Sequence, residues 1–251
     1  MYILIVTSSK GDVHVASVLD YIKDGFIPLI IDTEDFGINW FVSLFYEGIE
    51  ESYITVDTKK VSVNDIYSVW WRKPTPVNVK YMKDELASFV FRETNDTIYG
   101  LIWILETLGK KVINHPFYNY KASIKPLQLL IARKIGLLCP ETTITNSSES
   151  AKQMIEDSDC ISKGVSMSWA IEDNKNYSIY VKQIDSEKLE KISLIEKCPA
   201  TIQELIHKDY DVRIVVIFDK AFCFKIENSD KNIDWAALMS IFANIGLPLL
   251  T

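Results

Sequence analysis

The sequence predicts an α/β fold for the first half of the chain and an antiparallel, α+β fold for the second half. Short, branched apolar runs alternate with helical apolar stripes up to about residue 115, which is typical of a parallel sheet with crossover helices. Beyond residue 200, two apolar runs of similar length flank a tight turn. With 251 residues, the chain is long enough to bury one sizeable core or two modest ones.

The first elements form a strand, a helix and a second strand. Residues 2–6 are a short apolar run, and polar residues separate it from a helical stripe spaced i, i+3, i+4 and i+7: Val15, Val18, Leu19 and Ile22. Gly25 stands where this helix would stop, and the apolar run 26–31 gives the second strand. This order predicts two parallel strands with a right-handed crossover.

A later strand is expected to carry two basic residues to the edge of the sheet. After a hairpin expected near residues 42–57, the run 68–74 looks like a strand that ends with Arg72 and Lys73 ahead of Pro74. In open α/β sheets, ligands sit outside the carboxyl ends of the strands. We therefore expect this basic pair at a binding edge.

A long helix and a short strand complete the first half. Apolar residues repeat on one helical face over about 83–108, and Gly109 ends this helix. Residues 111–114 form a short strand. The dipeptide His115-Pro116 follows it, and we place the first domain boundary there.

The second half begins with helices. A helical pattern starts at Lys121 and extends to Ile135, and an extended segment at 139–146 follows. A further helix over 151–156 is capped by one of two serines, Ser147 or Ser148.

Strands dominate the rest of the chain. They are predicted at 161–163, 177–183, 201–206, 211–218 and 221–226. A tight turn at Asp219-Lys220 joins the last two strands, and a final helix is expected at 235–243.

The charge and the apolar runs exclude several classes of partner. Lys and Arg total 27 against 34 Asp and Glu, which gives a net charge of −7. This charge argues against non-specific binding to the phosphate backbone of nucleic acid. No apolar run approaches the roughly 20 residues of a membrane span, and the N-terminus lacks a signal-peptide pattern. We expect neither a nucleic-acid nor a membrane partner.

The cysteines indicate a reducing compartment. No CxxC pair occurs among the four of them, which stand in apolar surroundings: Cys139, Cys160, Cys198 and Cys223. We expect reduced, buried thiols and a cytoplasmic location.

Common catalytic motifs are absent. The chain has no GxxxxGK[ST] loop, no GxGxxG after Val6 and no GxSxG elbow. The three histidines have no metal-ligand spacing with one another or with cysteine: His14, His115 and His207. The sequence therefore predicts no metal site built on histidine.

Three basic residues remain as candidates. Taken singly, Lys125 and Lys163 fit solvated surface charges better than phosphate ligands, because exposed lysine is the default. Arg213 shares a strand face with Val215 and Ile217, which places a guanidinium beside apolar surface. Such an arginine usually has a carboxylate or phosphate partner.

The order of these residues resembles the ATP-grasp ligases, and within them the microviridin and related graspetide synthetases. The resemblance rests on Asn114-His-Pro, on 125–146, on Ile161-Ser-Lys163 and on 203–213. The N-terminal segments Asp12-Val-His-Val, 31–36 and Trp70-Trp-Arg-Lys-Pro74 are similar to the pre-ATP-grasp domain of that branch. The resemblance covers nearly the whole chain and favours the phosphate interpretation of both lysines.

The resemblance implies roles for individual residues. Lys125 and Lys163 would reach the nucleotide phosphates, and the strand Gln203-Glu204-Leu205-Ile206 would be the hinge that offers backbone groups and the Glu204 carboxylate to adenine and ribose. Asp211 would follow on the next strand as part of the nucleotide site. Arg213 would be the catalytic residue that faces the phosphates or the acyl phosphate.

The resemblance also implies an activity. ATP would activate a carboxylate as an acyl phosphate, and an amine or hydroxyl would attack it, forming an amide or ester crosslink in a ribosomally made precursor peptide. Magnesium is expected from the family. A precursor peptide is the expected partner, and a homodimer is the usual state of soluble enzymes of this size.

The resemblance predicts three parts: a pre-ATP-grasp α/β domain (1–115), a central ATP-grasp subdomain (116–200) and a partial C-terminal subdomain (201–251). Family members continue past a Leu-Pro segment like Leu247-Pro248 into strands with magnesium ligands, so no residue here receives a metal role. Ala236 stands where the branch usually has arginine, and Gly164-Val165 stands where Pro-Leu is common.

Two alternatives to an active ligase are compatible with the sequence. The first is a catalytically inactive homologue that binds a peptide or a partner ligase. Such a binding module would show affinity for the peptide without magnesium-dependent ATP turnover. The second is a prematurely stopped gene product that aggregates through an exposed apolar edge near residues 241–250.

Overall fold

The computed structural model of the chain describes residues 1–8, 12–74, 76–79, 83–166, 169–172, 175–178, 181–185 and 189–227. The chain divides into two compact units, Met1–Lys121 and Ala122–Thr251. In the described residues, no helix combines the length and the apolar character needed to cross a membrane.

The first unit contains the α/β elements that the sequence predicts. In chain order they are β1 (Tyr2–Thr7), α1 (Val13–Leu19), β2 (Ile27–Asp32), β3 (Trp40–Ser43), β4 (Tyr53–Val56), β5 (Lys59–Ser62), β6 (Ile66–Trp71), α2 (Asp84–Thr107), β7 (Lys111–Ile113) and α3 (Pro116–Ser123), which runs just past the unit's last residue. Four strands form a parallel sheet in the order β2-β1-β6-β7, and β3, β4 and β5 form an antiparallel sheet.

The core of the first unit lies between the parallel sheet and α2. Leu4, Ile5 and Val6 of β1 are all fully buried, as expected for a central parallel strand that is covered on both faces. The helix buries one face, made of Ile98, Leu101, Ile102 and Leu105. The antiparallel sheet closes the core through Trp40, whose indole Nε1 donates to Asp32 O at 2.6 Å.

Most elements of the first unit confirm the sequence analysis. β1 and β2 pair in parallel on either side of α1, and a hairpin pairs Phe41 with Thr55. β6 ends at Trp71, so Arg72 and Lys73 follow the end of the strand as expected. The long helix is followed by Gly109 at φ 77°, a conformation that glycine adopts without strain.

The first helix is shorter than its apolar stripe predicts. α1 ends at Leu19 instead of near Gly25, and Gly25 lies at φ 90° in the turn before β2. Within the stripe only Val15 is buried, and Val18 is 40% exposed, so little packing supports a longer helix. At the other end, the Asp12 carboxylate caps the helix by accepting a hydrogen bond from His14 N.

The second unit is mainly antiparallel. In chain order, its elements are α4 (Lys125–Lys134), β8 (Thr142–Thr145), α5 (Ser148–Asp157), β9 (Cys160–Gly164), β10 (Trp169–Glu172), β11 (Lys175–Ser178), β12 (Lys182–Gln183), β13 (Ala200–Glu204), β14 (Asp211–Ile217) and β15 (Lys220–Ile226). Four strands form a sheet in the order β12-β9-β13-β8, while β10-β11 and β14-β15 are two-stranded ribbons.

One face of this four-stranded sheet carries the core of the second unit. Cys160 of β9 and Ile202 of β13 pack there against Ala151 and Met154 of α5. A 3-10 helix at Ile192–Glu196 adds Ile195 to the same cluster. Because successive strand residues point to opposite faces, the residues between these core positions point to the other face.

Three predicted boundaries in the second unit are wrong. The helix expected from Lys121 is two helices, because Pro126 lacks a backbone N–H and fits only the first turn of a new helix, α4. The single strand predicted at 177–183 is divided between β11 and β12, which belong to different sheets. The strand predicted at 201–206 ends at Glu204.

The hairpin turn is shifted by one residue. The register pairs Ile217 with Lys220, so Phe218 and Asp219 form the two-residue loop in place of Asp219-Lys220. Phe218 has φ 54°, which is the positive value that such a loop requires at its first position. Of the two candidate caps for α5, Ser147 is the one used, and it accepts from Ser150 N. The helix predicted at 235–243 lies outside the described residues.

The cysteines are free, and they differ in burial. Cys160 is buried in the core of the second unit, whereas Cys139 is partly buried. Cys198 and Cys223 are exposed, so the expectation of four buried thiols is wrong for these two. Cys223 lies on β15, and its apolar neighbours in the sequence, Phe222 and Phe224, are exposed as well.

The buried face of α2 predicts a stability difference between two leucines on one helix. Leu101→Ala removes a fully buried side chain and is expected to lower the free energy of unfolding by about 2–5 kcal/mol. Leu86→Ala is the matched control, because Leu86 is 58% exposed and its loss should cost less than about 0.5 kcal/mol. Native-state hydrogen exchange of the β1 amides measures both, and equal protection in the two variants would contradict this packing.

Candidate functional site

The candidate site lies on the face of the second unit's sheet that is turned away from the α5 core. The register pairs Thr201 of β13 with Lys163 of β9, and Gln203 lies two residues further along the same face. The Lys163 ammonium reaches Gln203 diagonally, and its Nζ donates to Gln203 Oε1 at 2.7 Å. This hydrogen bond orients the lysine along the sheet.

A chain of hydrogen bonds holds the Gln203 amide in one orientation. Gln203 Nε2 donates to Thr142 Oγ1 at 2.7 Å, and the Thr142 hydroxyl donates to Pro140 O at 2.9 Å. Gln203 is 7% exposed, so breaking these bonds would leave buried polar atoms unpaired. The amide therefore presents its oxygen to Lys163.

A second ammonium group is fixed at the same end of β9. Lys125, at the start of α4, donates from Nζ to Gly164 O at 2.5 Å, and Gly164 directly follows Lys163. Lys125 forms no ion pair with any of the described residues, so its charge is not neutralised there. The structure thus places the Lys125 ammonium against the backbone of the residue that follows Lys163.

The predicted hinge begins where β13 ends. Glu204 is the last strand residue; its N donates to Glu141 O at 2.9 Å, and its carboxylate accepts from Glu141 N at 3.2 Å. Leu205 N donates to Asp159 O at 2.8 Å, so this N–H is already used within the unit. Ile206 lies beyond the strand and is 50% exposed. A bound base would therefore meet the chain at Ile206 and at the carbonyl groups of this segment.

The two remaining predicted residues lie on the β14-β15 ribbon. Both carboxylate oxygens of Asp211 accept hydrogen bonds from Lys208 Nζ at 2.7 Å, so Asp211 is engaged by a lysine close to it in sequence. Arg213 pairs with Phe224 in the register, is exposed, and makes no ion pair with the described residues. Its guanidinium is therefore available for an anion.

The polar face fits an extended anion. Lys163 presents its ammonium on this face, Lys125 bonds the backbone at Gly164, and the Thr201 hydroxyl, in a residue that is 1% exposed, has no hydrogen-bond partner among the described residues. Such an arrangement suits the phosphates of a nucleotide, because ammonium and hydroxyl groups are donors to phosphate oxygens. In the described part of the chain, no group of three or more His, Cys, Asp or Glu could hold a metal ion.

Three residues of this site do not follow from the sequence analysis. Thr142 fixes the amide of Gln203, Thr201 adds the unpaired hydroxyl, and Gly164 accepts the hydrogen bond of Lys125. Alternation along 201–203 is a signal that Thr201 and Gln203 share a face, but the partner strand and its register are not readable from the sequence.

The first half of the chain matches a known family model. Residues 2–116, just under half of the chain, match the family described as the MvdD pre-ATP grasp domain. No curated protein matches the chain. Over these residues the first unit is therefore similar to the MvdD pre-ATP-grasp domain.

Solved structures of ATP-grasp ligases match nearly the whole chain. A RiPP-associated ATP-grasp ligase of Chryseobacterium gregarium, solved with ADP and a leader and core peptide, is 24% identical, with a TM-score of 0.85 over 100% of this chain and 77% of that one. The macrocyclase MdnC of Microcystis aeruginosa MRC, bound to the precursor peptide MdnA, is 24% identical, with a TM-score of 0.82 over 98% and 84%. The ligase PsnB, solved with the precursor peptide PsnA2 and AMPPNP, is 26% identical, with a TM-score of 0.68 over 96% and 81%.

These comparisons confirm the predicted fold and the predicted resemblance. The chain has the ATP-grasp fold with an N-terminal pre-ATP-grasp domain, and it resembles the graspetide-type ligases. The division into three parts at 1–115, 116–200 and 201–251 and the individual residue roles remain predictions.

The clamped amide gives the site its own test. Gln203→Met keeps the volume of the side chain but removes both hydrogen bonds, and we expect it to lower the free energy of unfolding by about 1–3 kcal/mol. The melting temperature should fall by several degrees, at about 2–4 °C per kcal/mol for a chain of this size. Gln128→Met is the control, because the Gln128 side chain is exposed. An equal fall in melting temperature in the two variants would contradict a stabilising role for the hydrogen bonds of Gln203.

Proposed function

We propose that this chain is an ATP-dependent ligase that forms amide or ester crosslinks in a ribosomally made precursor peptide. The observation that carries the proposal is that Lys163 and the lysine bonded to its neighbour Gly164, Lys125, both belong to β9 and its contacts within an ATP-grasp fold. The relatives support the same chemistry, because they are ATP-grasp ligases solved with ADP or AMPPNP and with precursor peptides.

Lys125 and Lys163 are proposed to hold the nucleotide phosphates. ATP, when bound, supplies a phosphoryl group to a peptide carboxylate, which gives an acyl phosphate and ADP; the amine or hydroxyl then displaces phosphate and forms the amide or ester bond. The lysines contribute by offsetting the negative charge that shifts between phosphoryl oxygens during transfer. Their hydrogen bonds to Gly164 O and to Gln203 Oε1 orient both groups before the nucleotide arrives.

The hinge segment is proposed to hold the base and the ribose. Gln203 and Leu205 are fixed by hydrogen bonds within the unit, which makes the end of β13 a rigid edge. Glu204 presents a carboxylate that accepts ribose hydroxyls in addition to Glu141 N. Ile206 offers an exposed apolar side chain to the adenine ring and a backbone N–H to a ring nitrogen.

Arg213 is proposed to face the reacting phosphoryl or acyl group, and Asp211 to complete the nucleotide site. The guanidinium of Arg213 has a planar set of donors that matches a phosphoryl oxygen pair, and no described carboxylate occupies it. Asp211 is held by Lys208, so it keeps that lysine beside the start of β14. Magnesium is proposed as a cofactor on the strength of a relative solved with magnesium and ADP.

A cytoplasmic location and a peptide partner follow from the same proposal. ATP is a cytoplasmic substrate, and the four free cysteines suit a reducing compartment. The net charge of −7 argues against nucleic acid as the partner. A homodimer is proposed as the solution state.

The function is tested by nucleotide binding in lysine variants. With magnesium and ATP at 100 times its Kd, the chain should gain about 2.7 kcal/mol of stability, which raises the melting temperature by several degrees. Lys125→Ala and Lys163→Ala should each abolish this gain, whereas Lys152→Ala on the exposed side of α5 should keep it. A full gain in both site variants would remove the proposed nucleotide site.

The chemistry is then measured by mass spectrometry of a precursor peptide encoded beside the gene. Each crosslink removes the mass of one water, and Arg213→Ala is expected to stop this loss while the nucleotide-dependent rise in melting temperature persists. Peptide binding without ATP turnover in the unaltered chain would favour the inactive binding module instead.

A further inference from the structure

The first unit has a cleft that the nucleotide site does not use. In its parallel sheet, the chain moves from β1 to β2 on one side and then to β6 and β7 on the other, so the strand order reverses between β1 and β6. In open α/β sheets, the crevice outside the carboxyl ends at such a point is where ligands bind. Thr7, Asp32 and Trp71 are the last residues of the three strands at this edge.

A cavity of about 430 Å³ lies beside these strand ends. Its volume falls within the roughly 300–1,000 Å³ that is typical of small-molecule and side-chain pockets. Trp71 lines it from the end of β6, Thr33 lines it from the residue that follows β2, and Pro74 and Pro76 line it after β6. The facing wall is the side of α2 made of Phe91, Arg92, Asn95, Asp96, Ile98 and Tyr99.

The apolar part of the cleft is flat and preformed. Trp71 and Tyr99 contact each other with ring centroids 5.6 Å apart, and the two prolines add rigid surface beside them. Prolines and rings lose little conformational freedom on binding, so such a wall suits an extended peptide segment with an apolar side chain. Burial raises the pKa of the Tyr99 hydroxyl, which therefore stays protonated at neutral pH and remains a donor.

The polar part of the cleft has an unused cation. Arg92 makes no ion pair with the described residues, in contrast to Arg72, whose Nε lies 3.2 Å from Asp12 Oδ2. A guanidinium on the wall of an apolar cleft suits a carboxylate, because its planar donors and positive charge match the two carboxylate oxygens. Asp96, one helical turn beyond Arg92, places a negative charge on the same wall and disfavours ligands with several negative charges, such as a nucleoside triphosphate.

We propose that this cleft of the first unit binds an extended segment of the peptide substrate, with a carboxylate side chain on Arg92 and a neighbouring apolar side chain against Trp71 and Tyr99. The inference rests on the proposed function for the identity of the peptide. It assigns Arg92 as a specificity residue for acidic side chains. It also gives a role to the strand-end loop after β6, which the nucleotide site leaves without one.

The test uses two synthetic peptides and titration calorimetry. One is a blocked hexapeptide of alternating Thr, Phe and Glu residues, and the other has Gln in place of Glu. The unaltered chain should bind the Glu peptide about tenfold more tightly than the Gln peptide, because only a carboxylate forms a charged pair with Arg92. Arg92→Gln should remove this preference, and Arg92→Lys should restore part of it. Arg133→Gln, on α4 of the second unit, is the matched control and should keep it.

Three results would overturn the proposal. These are an equal Kd for the two peptides on the unaltered chain, an unchanged preference in Arg92→Gln, and no binding of either peptide. ADP titrated alone identifies the other ligand class: if its binding is lost in Arg92→Gln, the cleft is a nucleotide site. Arg92 is exposed, so its substitution leaves the fold intact, which the melting temperature checks.

The two proposals fail separately. Lys163→Ala should lose the nucleotide-dependent rise in melting temperature while it keeps the Glu-peptide preference. A chain that prefers the Glu peptide through Arg92 but gains no stability from ATP would overturn only the proposed function. A chain that gains stability from ATP but shows no Arg92-dependent preference would overturn only the peptide cleft.

Discussion

The hydrogen bond between Lys163 and Gln203 is the interaction on which the candidate nucleotide site depends. It joins two neighbouring strands across a register that also fixes Thr142 and Thr201, and it places an ammonium group on an otherwise neutral sheet face. The buried amide can satisfy its own atoms only in this orientation, with its oxygen towards Lys163 and its nitrogen towards Thr142. The lysine is therefore oriented by the fold, without help from a ligand.

In the same sheet, successive residues of each strand alternate between the core face and the face of the candidate site. Cys160 and Ile202 point into the core with α5, while Lys163, three residues after Cys160, and Gln203, directly after Ile202, point to the opposite face. The first unit uses a different device, since its parallel strands are buried on both faces and only their carboxyl ends are free to meet ligands. The two proposed sites follow these two arrangements, with the nucleotide on a sheet face and the peptide at a sheet edge.

The sequence predicts much of this because its strongest signals are local. The stripe of α2 and the strand runs of β1 and β6 each correspond to observed elements. Errors occur where tertiary contacts decide, as in α1, whose stripe finds little to pack against. The lysines could be selected only through the resemblance, because their spacing of 38 residues carries no periodic signal. Thr142 could not be selected, because its role depends on the register of β8 against β13.

Photolabelling with 8-azido-ATP, followed by peptide mapping, tests the nucleotide site most directly, because the label marks the residues that contact the base. We expect the label within 203–206, and we expect excess ATP to prevent it. Gln203→Met should weaken labelling by releasing Lys163. Two results would contradict a nucleotide site at the end of β13. One is labelling of the first unit that excess ATP prevents, and the other is labelling that excess ATP does not prevent at all.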